Sequence, residues 1–268
     1  MSKQSVKPML ENTLETTRVE LPPTQAELPY DDGIPMESQR HKTQMELLID
    51  VISIWLGDKS DGYVGGNMFV YFSLAQIKNK DFRGPDFFVV LGVPKAERRS
   101  WVVWEEGKGP DVVIELLSDS TANIDKNEKK LIYQNQLRVP EYFWFDPFNP
   151  DDFAGFSLEY GVYKELELNE QNQYISSSLN LALVKWKGEY KGINTTWIRW
   201  ATSSGELLPS TEDLALQEKQ RAEVEKQRAE EAEFKLLQTA RNLLQEGMTV
   251  EQVARLTGLS QAQIQQTN

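Results

Sequence analysis

Cysteine is absent from the 268-residue sequence, and histidine occurs only once, at His41. Without cysteine the chain has no disulfides, no thiolate nucleophile and no zinc site that needs sulfur. A single histidine excludes a multi-histidine metal site and argues against a Ser-His-Asp triad. Any bound metal would therefore be a hard ion that prefers oxygen ligands, such as Mg2+.

Long apolar runs are also missing. No stretch approaches the 18 or so apolar residues of a transmembrane helix, so we expect no membrane partner. Residues 1–29 are polar and carry no targeting signal, which predicts a cytoplasmic protein. The 41 acidic and 29 basic residues give a net charge of -12, which argues against a broad nucleic-acid-binding surface but not against a small basic cleft.

The composition divides the chain into three regions. Residues 1–34 contain several prolines and predict an N-terminal arm. Residues 35–205 hold all seven tryptophans and most of the β-branched runs, so they predict the globular domain. Residues 211–268 are rich in Glu, Gln, Ala, Lys, Arg and Leu and predict a helical, partly coiled-coil tail.

The domain shows the pattern of an α/β fold. Ser38 is a suitable N-cap for a helix that runs to about Leu56 and ends at Gly57. Another helix is predicted over 125–137, and the segments 156–163 and 174–184 predict a hairpin beside the core. Apolar runs predict strands at Met68–Leu74, Phe87–Leu91, Trp101–Trp104, Val112–Leu117 and Glu141–Phe145. This order of helices and strands predicts a layered α/β domain.

The tail has a seven-residue repeat, in which Ala215, Ala222, Ala229, Leu236 and Leu243 share one heptad position. Charged residues occupy the partner position, so the pattern predicts a solvated helix over 211–246. Any coiled-coil contact should start at Leu236, where a small apolar seam favours a homo-oligomer such as a dimer. Two short capped segments follow Gly247, but the second has no basic residue, which favours a plain helical tail over a DNA-reading helix-turn-helix.

Three carboxylates suggest chemistry. Asp86 and Asp111 each follow a Gly-Pro dipeptide, and Glu115 lies inside the apolar run 112–117. An ionised group there is costly unless it is paired or binds a metal. Asp111 and Glu115 are about 13 Å apart along one strand, too far to share an ion. The intervening strands can bring Asp86 to Glu115, which makes these two the better pair.

A Pro-Asp turn followed by an acid in a later core strand resembles the PD-(D/E)xK nuclease pattern. A longer string is similar to the Uma-two family of restriction-endonuclease-type proteins, a branch of that superfamily. The resemblance covers roughly Met36–Gly205, and its motif residues are Glu115-Leu116-Leu117-Ser118, Ser120-Thr121, Asp125, Lys129, Tyr133, Glu141-Tyr142 and Asp146-Pro147.

The resemblance implies a restriction-endonuclease-like mixed β-sheet flanked by helices, to which this chain adds the long C-terminal helix. It also implies that Asp86 and Glu115 bind Mg2+, or another divalent ion such as Mn2+, and that DNA is the substrate. Leu117 stands where the superfamily has its lysine, so the catalytic cation must come from elsewhere. Lys129 is the best substitute because Asp125, Lys129 and Tyr133 would share one helix face.

Other interpretations stay open at each position. Lys130 is a second choice for the cation, and Glu115 could be a structural acid paired with Lys129. Asp86 could only cap a turn, and His41 fits a surface or core-edge residue better than a catalyst. For the whole protein, the hypothesis of a Mg2+-dependent DNA endonuclease competes with that of a catalytically inactive module that binds partners through its helical tail.

Overall fold

The computed structural model describes residues 21–30, 36–57, 61–74 and 82–265. These residues group into two compact units. The first comprises Met1–Met45 and Asp61–Glu167, and the second comprises Glu46–Ser60 and Leu168–Asn268, as far as they are described. The domain boundary near residue 205 stays a prediction.

Helix α1 spans Gln39–Trp55, with residues up to Met45 assigned to the first unit and the rest to the second. The first unit continues with β1 (Asp61–Gly65), β2 (Val70–Tyr71), β3 (Phe82–Arg83), β4 (Phe87–Pro94), β5 (Trp101–Val102), α2 (Val103–Glu106), β6 (Val112–Leu116), π1 (Ile124–Lys129), α3 (Lys130–Ile132), π2 (Tyr133–Leu137), β7 (Glu141–Phe145), β8 (Phe153–Glu159) and β9 (Val162–Glu165). The second unit contains β10 (Gln173–Ser176), β11 (Leu181–Tyr190), β12 (Ile193–Ala201), α4 (Thr211–Gln245), α5 (Val250–Thr257) and α6 (Gln261–Gln265).

A six-stranded sheet in the order β1-β4-β6-β7-β8-β9 forms the centre of the first unit. Strands β6 and β7 are parallel, and the other neighbours are antiparallel. All five residues of β6 are buried, as its nearly continuous apolar sequence predicts for a strand covered on both faces. The predicted class, a mixed sheet with flanking helices and a long C-terminal helix, is confirmed.

Helix α1 forms where its cap and its apolar spacing predict it. The Ser38 hydroxyl accepts a hydrogen bond from the backbone N–H of His41 at 3.3 Å, which satisfies a free donor of the first turn. Leu48 and Ile52 are fully buried, so one face of the helix contributes to a core. The helix ends at Trp55, close to the predicted end.

The helix after β6 differs from the predicted one in its hydrogen bonding. Most of it is π-helical, with only Lys130–Ile132 in α geometry. It ends at Arg138, whose φ of 53° lies in the left-handed region. Glycine adopts this conformation without strain, whereas the arginine at this position does not.

Several predicted elements were misplaced. The strand predicted over 101–104 stops at Val102, and Val103–Glu106 forms a helical turn instead. The segments 156–163 and 174–184 do not pair with each other. The first belongs to the β8–β9 hairpin of the first unit, and the second belongs to the antiparallel sheet β10-β11-β12 of the second unit.

Part of the predicted N-terminal arm packs on the first unit. Leu28 is buried against Tyr71 and Val102, and the Trp104 indole donates a hydrogen bond to the carbonyl of Pro23 at 2.8 Å. Residues 1–20 and 31–34 of the predicted arm lie outside the described residues.

The tail helix α4 is exposed over most of its length, as predicted. Its last turns form a small core with α5 and α6 around Ala240, Val253, Leu259 and Ile264. Leu237, Leu243 and Leu244 pack on this core. Most of the apolar seam that favoured self-association is therefore in contact with other helices of the same chain. The homo-oligomer stays a prediction. Within the described ranges, no helix is both long and apolar enough to cross a membrane.

Candidate active site

Asp86 and Glu115 lie on neighbouring strands of the first unit. Asp86 directly precedes β4, which pairs with β6 so that Phe87 faces Ile114. Through this register, the Asp86 Oδ2 accepts a hydrogen bond from the backbone N–H of Leu116 at 2.7 Å. The structure therefore brings together the two acids that the sequence predicts as a pair.

Glu115 is fully buried, and both of its carboxylate oxygens have partners. Oε1 accepts a hydrogen bond from the Tyr133 hydroxyl at 2.7 Å, and Oε2 lies 3.1 Å from the Lys129 Nζ. Burial raises the pKa of Glu115 well above its usual range, although the Lys129 ammonium partly offsets this effect. An acid with this environment is a candidate functional group rather than a surface charge.

Asp125 belongs to the same cluster. The sequence indicated this only through the spacing of four residues between Asp125 and Lys129. Its side chain is 1% exposed, and its Oδ1 lies 2.8 Å from the Lys129 Nζ. The Tyr142 hydroxyl donates a hydrogen bond to the Asp125 backbone carbonyl at 2.9 Å and fixes this turn of the π-helix. The spacing of four residues between Asp125 and Lys129 was the available signal, but it did not reveal that Asp125 is buried.

The cluster carries more negative than positive charge. Within the described part of the chain, Lys129 is the cation that contacts Glu115 and Asp125. Burial raises the pKa of Asp86 to about 6, with Lys129 acting in the opposite direction and Glu37 and Asp125 adding to the rise. Desolvation lowers the pKa of Lys129, but the carboxylates of Glu115, Asp125 and Asp86 outweigh it, so the ammonium stays protonated.

The donor set suits a hard divalent ion. The cluster contains the carboxylates of Asp86, Glu115 and Asp125, and Mg2+ and Mn2+ prefer such oxygen ligands. Across residues 21–30, 36–57, 61–74 and 82–265, no group of three or more Asp, Glu, His or Cys side chains has the arrangement of a metal cage. Mg2+ needs no such cage, because it is usually held by one or two carboxylates and keeps several waters.

His41 is buried, which excludes the surface position that the sequence left open beside a core-edge one. Its ring Nε2 lies 2.8 Å from the carbonyl oxygen of Leu117, and its Nδ1 lies 2.8 Å from the Ser38 hydroxyl. The side chain of Leu117, at the position of the superfamily lysine, is fully buried. His41 thus anchors the end of β6 to the start of α1.

The neighbouring candidates have structural partners. Asp111 accepts a hydrogen bond from the backbone N–H of Leu91 at 2.7 Å and pairs with Lys108 at 2.8 Å, away from Glu115 as predicted. Lys130, the second choice for the cation, has its Nζ 3.3 Å from the centre of the Phe156 ring.

The fold and the cluster define a mixed α/β protein with a buried, carboxylate-rich site. Residues 15–186, more than half of the chain, match the Uma2 family, whose description is "Putative restriction endonuclease". The chain therefore belongs to this nuclease family.

Residues 235–268 match a second family model, the C-terminal helix-turn-helix domain of the Rpn/YhgA-like nuclease family. This match favours a helix-turn-helix over the plain helical tail that the sequence predicts. The two capped segments around Gly258 are the local signal for it.

Among solved structures, the chain is similar to one described as a "putative nuclease belonging to DUF820" from Anabaena variabilis. The identity is 15%, the TM-score is 0.37, and the match covers 51% of this chain and 74% of that one. Comparison with curated proteins gives no significant match.

Proposed function

We propose that this chain is a divalent-metal-dependent nuclease that hydrolyses phosphodiester bonds of DNA at the Asp86–Glu115–Lys129 cluster. The observation that carries the proposal is the fully buried Glu115 in contact with the Lys129 ammonium, next to Asp86. Membership of a nuclease family supports the reaction class.

Asp86 and Glu115 would hold Mg2+ or Mn2+. Such an ion, when bound, polarises the scissile phosphate and makes a hydroxide nucleophile available near neutral pH. The chain's own groups orient the ligands: the Leu116 N–H holds one oxygen of Asp86, and the Tyr133 hydroxyl holds one oxygen of Glu115. These contacts fix the carboxylates in place before substrate arrives.

Lys129 would supply the positive charge that Leu117 cannot. Because its pKa is raised, the ammonium is protonated at neutral pH and is unsuited to act as a general base. Its role would be to stabilise the negative charge that develops on the phosphate in the transition state. Asp125 would position it, through the 2.8 Å contact from one turn earlier on the same helix.

The helix-turn-helix match supports DNA as the partner, since such modules place a helix in the major groove. The matched region has only three basic residues, Lys235, Arg241 and Arg255, against two acidic ones, Glu246 and Glu251. Few phosphate contacts would then come from this module, so we expect its DNA binding to depend only weakly on salt concentration.

One observation favours the second candidate, an inactive module. Tyr133 and Lys129 together engage both oxygens of Glu115, as they would in a purely structural network. The two functions differ in whether the cluster is needed for cleavage or only for folding.

Substitution of the two adjacent lysines tests the proposal. Lys129→Ala should reduce Mg2+-dependent cleavage of plasmid DNA by about a hundredfold or more, because the transition-state charge loses its cation. Lys130→Ala is the matched control and should have a small effect, since its ammonium packs over Phe156. Circular dichroism should show that both variants are folded. An equal loss of cleavage in both variants, or no loss in Lys129→Ala, would contradict the assignment of Lys129 as the catalytic cation.

A further inference from the structure

Phe148 is an exposed aromatic residue in the loop that follows β7. It is 58% exposed, although it lies next to the buried His41, with 5.7 Å between the two ring centres. The loop is well ordered by its own contacts, because the Asp146 Oδ1 accepts hydrogen bonds from the backbone N–H groups of Phe148 and Asn149 at 2.7 and 3.0 Å. The ring is therefore held at the surface by its backbone.

Arg40 lies over one face of this ring. Its guanidinium carbon is 4.2 Å from the ring centre, and its Nη1 donates a hydrogen bond to the carbonyl of Pro147 at 3.3 Å. No described carboxylate is bonded to it. In a chain with a net charge of -12, this leaves a cation available to an anionic ligand.

The Arg40–Phe148 pair is close to the candidate active site. Strands β6 and β7 are parallel, so the loops that follow them leave the same edge of the sheet. His41 connects the two loops, since its ring neighbours Phe148 and also contacts the carbonyl of Leu117, two residues after Glu115. The Arg40–Phe148 pair thus lies at the same edge of the sheet as the carboxyl end of β6, the strand that contains Glu115.

We propose that Phe148 is a stacking platform for an unpaired base of the nucleic-acid substrate and that Arg40 contacts a neighbouring phosphate. The inference rests on the proposed nuclease function and adds a preference for strands with unstacked bases. Sequence-independent binding of single strands combines aromatic faces with nearby cations, which is the combination found here. Arg40 covers one face of the ring, and a base would use the other.

Binding of a fluorescein-labelled single-stranded oligonucleotide tests this inference, measured by anisotropy in the Glu115→Gln background so that no substrate is consumed. Phe148→Ala should weaken binding about fivefold to a hundredfold, the range for loss of one base–aromatic stack. Phe148→Tyr, which retains an aromatic ring, should bind the oligonucleotide with the affinity of its parent. Arg40→Gln should reduce the slope of log affinity against log salt concentration by about 0.7, as for one phosphate contact to a single strand.

Tyr160 and Lys164 provide matched controls. Tyr160 is a fully exposed aromatic residue in the β8–β9 turn, at the opposite edge of the same sheet, and Lys164 is an exposed cation on β9. Tyr160→Ala and Lys164→Gln should leave affinity and salt slope unchanged. Equal binding by Phe148→Ala and its parent, or equal losses in the control variants, would overturn the inference. Cleavage by the wild type is measured separately, so a protein that binds without cutting would refute the nuclease function and not the platform.

Discussion

Asp86 and Asp111 each follow a Gly-Pro dipeptide. The carboxylate of each accepts a hydrogen bond from a backbone N–H of a neighbouring strand. Their surroundings differ, because Asp111 has Lys108 as its own partner, whereas Asp86 shares Lys129 with two other carboxylates. This difference fits the proposed metal-ligand role of Asp86 and a structural role of Asp111. We therefore expect replacement by asparagine to change the stability of the protein in opposite directions at the two positions.

Asp86→Asn should stabilise the metal-free protein at high pH. Burial raises the pKa of Asp86 to about 6, so the folded state binds the proton more tightly than the unfolded state. The contribution of Asp86 to the free energy of unfolding is fully present below about pH 4, where Asp86 is protonated, and is lost as the pH rises through 6. We therefore expect Asp86→Asn to gain about 1–3 kcal/mol at pH 8 and little at pH 4.

Denaturant unfolding in EDTA at both pH values measures this gain, with Asp111→Asn as the matched control. Asp111→Asn should lower the free energy of unfolding at pH 8, since it weakens the contact with Lys108. If Asp86→Asn also destabilised the protein at pH 8, Asp86 would have the structural role of a turn cap.

Lys129→Ala should destabilise the protein increasingly as the pH rises. The variant leaves the buried Glu115 and Asp125 without their shared cation, and breaking a buried pair in this way costs on the order of 3–5 kcal/mol. Protonation of the carboxylates relieves the cost at low pH. Thermal unfolding at pH 5 and pH 8 measures the trend, and a pH-independent difference from the wild type would contradict it.

At the scale of residues, the sequence identified the acids by their context but not the burial of their partners. Glu115 was conspicuous because it interrupts an apolar strand, and the Pro-Asp turn pointed to Asp86. The burial of His41 could not be predicted, since its partner Leu117 is 76 residues away in the chain. Such contacts depend on the tertiary fold and leave no local pattern.

At the scale of elements, the strands β4, β6 and β7 were predictable because their sequences are nearly continuously apolar. The π-helical turns after β6 were not, because α- and π-helices of this length show the same mixture of apolar and charged residues. Strand β1 was missed for a different reason. Its sequence Asp-Gly-Tyr-Val-Gly contains two glycines, which ordinarily indicate a turn.

Arg138→Gly should stabilise the end of π2. Arg138 has a φ of 53° and an exposed side chain, so glycine would relieve backbone strain without loss of a buried contact. We expect a gain of up to about 1 kcal/mol in the free energy of unfolding, while Arg138→Ala keeps the strain and should gain nothing. Chemical denaturation of the three proteins checks this, and a loss in Arg138→Gly would show that the arginine side chain itself stabilises the turn.

At the scale of the whole molecule, the C-terminal module should be separable from the catalytic function. The core around Ala240, Val253, Leu259 and Ile264 is built from the end of α4 and the two helices after it, and α4 is exposed before it. A chain that ends after Glu230 keeps the contacts of Asp213 with Arg199 and of Thr211 with Asp50. It should unfold cooperatively and retain Mg2+-dependent cleavage, but bind duplex DNA more weakly.

Calorimetry and a cleavage assay on the truncated protein test this separation. Loss of cooperative unfolding would mean that the module is part of the fold. Unchanged affinity for duplex DNA would mean that the module binds something other than DNA. The composition alone did not indicate this separation, since the net charge of -12 argued against a broad nucleic-acid-binding surface.

The most direct test of the central claim is the rate of DNA cleavage by the wild type and by Glu115→Gln in Mg2+ or Mn2+, with EDTA as the metal-free control. The substitution preserves the shape of a fully buried side chain and removes its charge. If the cluster is a metal-dependent nuclease site, the wild type cleaves only with metal, and Glu115→Gln is slower by about a hundredfold or more although it is at least as stable. Equal rates in the two proteins, or no cleavage by the wild type with either ion, would contradict it.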